Sequence, residues 1–155
     1  MNKKIGLLLL TVILSIVIAS LYGIIHNQIT YNISPEYYTK FKFEQFGLWE
    51  DGYGDNRQKA SMVGFLSSWW IGLIFGVIVG LFGLTLSTTK LMIRSIYGAV
   101  LRILIYAMLL SLIGVYFGYL TLGKIDFEWH VPSDVFDRYG FMTAATVHNF
   151  SYIGG

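Results

Sequence analysis

The sequence predicts an all-α membrane protein, a bundle of four transmembrane helices with a small outer lid. Three observations point there. Only 13% of the residues are charged and 55% are hydrophobic, whereas a soluble domain averages about a quarter charged; mean hydropathy is +0.60. Uncharged apolar runs long enough to cross a bilayer recur along the chain. Within them, small residues repeat at four-residue steps, the spacing that opens a groove on a helix for a second backbone. The formal net charge of +2 is made of dispersed basic residues, which leaves no nucleic-acid footprint. Cysteine is absent, so no disulfide, thiolate nucleophile or thiolate metal site can form.

The first span is expected at about residues 5–26. Lys3 and Lys4 precede it, and a basic start before an apolar run also describes a signal peptide. A retained anchor is favoured, because the run exceeds a typical signal core, lacks an A-x-A site, and carries Ser15, Ala19 and Gly23 at the packing spacing. The outer loop, 27–61, opens with Ile29, Tyr31 and Ile33 alternating with Thr30, Asn32 and Ser34, the pattern of a half-buried strand. A helix signal follows: Ser34 as cap, Pro35 at the first position, Glu36 against the dipole and Gly47 at the end. Its many aromatics suit a helix lying flat at a membrane interface, and this is the expected lid. The acidic run Glu50 to Asn56 lacks EF-hand spacing and reads as a plain turn.

The central span, about 62–86, carries Gly64, Ser68, Gly72, Gly76 and Gly80 in one stripe, a packing face. Trp69 and Trp70 read as interfacial anchors in preference to a ligand-stacking pair. A third span is expected at about 96–122, with Arg94 and Arg102 on one face near its start. If that span began at Ser95, Arg102 would be a buried functional charge; if it is the uncharged stretch Ile103–Leu122, Arg102 is a boundary anchor, which strands no charge in hydrocarbon. Gly114 and Gly118 form another close-packing pair. In the second outer loop, 123–138, strict alternation from Lys124 to Val131 suggests a strand, expected to pair with 29–33 in a two-stranded sheet. The fourth helix, 139–155, is short: either its neighbours shelter it or the sequence is truncated from a longer one. Lys3, Lys4, Lys90 and Arg94 put the amino terminus in the cytoplasm and both long loops outside.

The run Ile33-Ser34-Pro35-Glu36-Tyr37-Tyr38, then Phe41-Lys42-Phe43, and the run His148-Asn149-Phe150-Ser151-Tyr152-Ile153-Gly154-Gly155 resemble uncharacterised bacterial four-helix integral membrane proteins. The resemblance implies residence in a bacterial inner membrane and a final helix that continues past the double glycine. No activity comes with it. Gly47-Leu48-Trp49 is weakly similar to the claudin first loop, but the cysteine pair of that motif is missing.

Chemical signals are sparse. No Asp or Glu lies within an expected span, and no H-E-x-x-H or G-x-S-x-G occurs, so no catalytic residue is assigned. His26 and His130 with Asp126 or Glu128 suit an outer-face zinc site. His148 suits a haem only with a partner at matching depth, and the sequence shows none, so a hydrogen bond inside the bundle is favoured. No cofactor is expected. Three classes follow: an accessory or scaffold subunit packing against lipid, other membrane proteins or itself; a homo-oligomeric channel or small transporter; and a histidine-based metal or haem protein.

Overall fold

The computed structural model describes residues 2–48, 51–122 and 131–154. Both prolines, Pro35 and Pro132, fall outside the long apolar runs, which therefore propagate as uninterrupted helices. α1 is Asn2–Ile33. α2 is a continuous helical run: Pro35–Tyr37, a π-helical turn Tyr38–Lys42, and Phe43–Gln45. α3 is Asn56–Leu84, and α4 is Thr89–Phe117 followed by a π-helical turn, Gly118–Leu122. α5 is Arg138–Gly154. Among the described residues the chain is all helical and no strand occurs. Three segments, Lys3–Ile33, Asn56–Leu84 and Thr89–Leu120, are long and apolar enough to cross a membrane. Leu9, Ile13, Val17, Leu21 and Ile25 face outward along α1. Such an apolar surface suits lipid and not water.

The helices form two antiparallel hairpins. In the first, α1 and α3 lie so close that the glycines of the seam leave no room for larger side chains. Gly64 sits on the backbone of Gly23, and Gly72 on that of Ser15 and on Ala19. A methyl group on Gly76 would lie 2.8 Å from Val12 Cα, and one on Gly80 would lie 3.1 Å from Leu8 Cγ. Ser68 lies against Gly23. Polar groups close both ends: Asn27 Nδ2 donates to Ala60 O at 3.2 Å, while Lys4 Nζ donates to Leu86 O. In the second hairpin Gly114 meets Val147 and Phe150 of α5, and Gly118 meets Thr143. Asp137 starts α5 by accepting from Gly140 N at 2.8 Å.

The strand expected at 29–33 is corrected. Residues 29–33 are helix, not strand: α1 continues well past residue 26 to Ile33. The polar residues that looked like one face of a strand are used by the helix. Thr30 Oγ1 donates to His26 O at 3.0 Å, and Arg57 Nη1 and Nη2 donate to Gln28 Oε1 and Asn32 Oδ1. The partner strand expected from Lys124 to Val131 lies, but for Val131, outside the described residues, as do Asp126, Glu128 and His130. α3 likewise starts earlier than residue 62, because Asp55 and Gln58 form a reciprocal capping box. Thr88 caps α4, which starts ahead of residue 96. At the start of α2, Ser34 Oγ accepts from Tyr37 N at 3.2 Å with Pro35 following. Gly47, at φ +68°, turns the chain after Phe46, a conformation that glycine adopts without strain.

Candidate functional site

The largest collection of buried polar side chains lies where α1, α2 and α5 meet. α1 contributes Tyr22, His26 and Thr30, spaced four apart and hence on one face. α5 contributes His148, and α2 lays Tyr37 and Tyr38 across them. The His26 and His148 rings pack with centres 4.8 Å apart and planes inclined at 56°. Tyr22 stacks on His26 at 5.7 Å. Tyr37 and Tyr152 stand 5.2 Å and 6.2 Å from the His148 ring.

The hydrogen bonding is unequal. His148 Nε2 is 3.1 Å from Tyr38 Oη and 3.2 Å from Thr30 Oγ1, and the two hydroxyls also bond each other. Neither ring nitrogen of His26 has a partner, although the side chain is only 8% exposed. Burial pushes the phenols of Tyr37 and Tyr38 well above their ordinary range. Both therefore stay neutral, and Tyr38 acts as a hydrogen-bonding hydroxyl and not as a phenolate. Among the described residues no carboxylate reaches His148, so the acid that orients a catalytic imidazole is not seen there.

The ring spacing also bears on ligands. Two imidazoles on opposite faces of a haem, each about 2.0 Å from the metal, would have ring centres roughly 6 Å apart. At 4.8 Å no macrocycle fits between His26 and His148. The same spacing suits two imidazoles at neighbouring positions of a tetrahedral ion.

Outside the cluster, the segment after Val131 is tied to α2. Glu36 Oε1 accepts from Phe136 N at 3.1 Å and Oε2 from Asp137 N at 2.7 Å. Lys40 Nζ donates to Asp134 Oδ2 at 2.6 Å. These backbone donors hold the Glu36 carboxyl below its ordinary range, and the Lys40 ammonium does the same for Asp134. Trp69, Trp70, Arg94 and Arg102 are exposed, and the Arg102 guanidinium lies over Gly98.

The structure thus joins His26 to His148, which the sequence reading kept apart, and adds Tyr38, Thr30 and Tyr22. Only the four-residue spacing of Tyr22, His26 and Thr30 on one helix could have signalled the group. Compared with family models, curated proteins and solved structures, the chain matches none.

Proposed function

We propose that this is a non-enzymatic integral membrane protein, an accessory or scaffold subunit that works by binding other membrane components. The observation that carries this reading is the contrast between its two helix seams. α1 and α3 close on each other along their length, whereas α4 stands off that hairpin and leaves an open, apolar-walled groove. Its polar cluster borders that groove through Tyr22 and Tyr152 and, among the described residues, carries no acid. In this reading α5 is the fourth span, α2 lies as a lid over the outer end, the amino terminus is cytoplasmic and the membrane is a bacterial inner membrane. The small-residue stripe of α3 is occupied by α1, so it supports the channel alternative less than a free stripe would.

The test is gentle solubilisation of the tagged protein from its native membrane, followed by native mass spectrometry. Protein or lipid partners at fixed stoichiometry are the expected result. A bare homo-oligomer would favour the channel or transporter instead. A second reading, a histidine-based metal protein, is favoured by one observation: His26 offers two unpartnered nitrogens beside His148. A monomer carrying the mass of one zinc ion would select it.

A further inference from the structure

The groove between the α1/α3 hairpin and α4, also lined by Ser151 and Tyr152 of α5, has a volume of about 710 Å³, within the range of roughly 300–1,000 Å³ typical of small-ligand sites. Ile18, Ile71, Phe75, Ile103 and Leu104 make its walls apolar. Along α3 the lining runs from Leu66 to Phe75, about 14 Å at helical rise. That is close to half of a hydrocarbon core of about 30 Å, the depth of one leaflet.

One end of the groove is different. There α2 places Lys42, Gln45 and Phe46 on the rim. Lys42 Nζ donates to Gln45 Oε1 at 2.8 Å and lies 5.1 Å from the Phe41 ring centre. Among the described residues no carboxylate pairs with it. Burial without a counter-charge brings its pKa down to about 8. An anion at the ammonium would relieve that cost. An apolar bore one leaflet deep with a single unpaired cation at its rim has the polarity of a phospholipid.

We propose that this groove binds one anionic phospholipid, an acyl chain lying between α1, α3 and α4 and the phosphate resting on Lys42. The inference deepens the reading of the chain as a membrane-component binder. A zwitterionic lipid fits the bore equally well but brings its own cation to compete with Lys42, so the selectivity lies in the headgroup.

The experiment places the full chain in nanodiscs of equal phosphatidylglycerol and phosphatidylcholine, releases it into mild detergent and weighs the retained lipid by native mass spectrometry. One phospholipid per chain is expected, with phosphatidylglycerol enriched about five-fold, the effect of one lysine near a membrane surface. Lys42→Gln should abolish the enrichment, Lys42→Arg should keep it, and Ile71→Trp should fill the bore and reduce retention of both lipids. Arg94→Gln, at an exposed position outside the groove, should change nothing. Absence of retained lipid, equal enrichment in Lys42→Gln, or a partner's helix held in place of lipid would overturn the proposal. Failure of the chain to enter nanodiscs at all would instead sink the membrane reading on which it rests.

Discussion

His26 and His148 share one contact but not one environment: their ring centres are 4.8 Å apart, yet His148 Nε2 bonds Tyr38 and Thr30 while both nitrogens of His26 are unpartnered. A buried polar group without a partner costs about 1–3 kcal/mol. His26→Phe, which keeps the aromatic packing on Tyr22, should therefore leave thermal stability in detergent unchanged or raised. His148→Phe should lower stability by about 1–3 kcal/mol, because the Tyr38 and Thr30 hydroxyls lose a hydrogen-bond partner. The reverse order, with His26→Phe the more damaging, would mean that His26 holds a ligand and would favour the metal reading.

This pair was hidden in the sequence for a definite reason. With α1 expected to end near residue 26, His26 belonged to the outer surface and His130 was its natural companion. In the structure α1 runs on to Ile33, about 10 Å further at helical rise, which places His26 inside the bundle alongside His148. The misreading came from Ile29, Tyr31 and Ile33, since five residues of alternation are too few to separate a strand from a helix whose polar side chains are paired across a seam. Local signals were legible, because capping by Ser34, the initiating Pro35 and the terminating Gly47 act within a few residues. The packing stripe on α3 was legible as a stripe, but its partner was not, since periodicity says which face is narrow and nothing about what lies on it.

The α1/α3 seam gives a sharp contrast between glycines. A side chain at Gly76 would meet Val12 Cα at 2.8 Å, whereas one at Gly6 would meet nothing within 4 Å. Gly76→Leu should cost about 1–3 kcal/mol or more by forcing the backbones apart, while Gly6→Leu should be neutral. Membrane insertion should survive in both, because hydropathy does not fall. Thermal unfolding in detergent separates them; equal stability would remove the seam from the argument.

Docking of residues 131–137 on α2 should be acid-sensitive. Glu36 and Asp134 have folded values below their ordinary 4.5 and 3.8. A lowered carboxyl stabilises the folded state fully above its ordinary value, and the contribution fades as pH falls toward the folded one. Amide exchange at Phe136 and Asp137, measured relative to Gly140, should accelerate once pH drops below about 4.5. Glu36→Gln should show faster exchange at neutral pH and lose most of that dependence. A flat profile in the unaltered protein would mean that Glu36 is not what holds this segment.

The charges also define the ends of the bundle. Lys4 Nζ donates to Leu84 O and Leu86 O, so Lys3, Lys4 and Lys90 gather at one end, while α2 and the turn containing Gly52 lie at the other. Basic residues concentrate on the cytoplasmic side of membrane proteins, which predicts that Gly52 is outside. Because the chain has no cysteine, single cysteines report without background. Gly52→Cys should react with a membrane-impermeant maleimide on intact cells, and Ser87→Cys only after permeabilisation. A methyl at Gly52 would meet nothing within 4 Å, so the probe should not disturb the fold. Labelling of Ser87→Cys alone on intact cells would invert the topology, place Lys42 on the cytoplasmic leaflet and turn the lipid groove to face the inside of the cell.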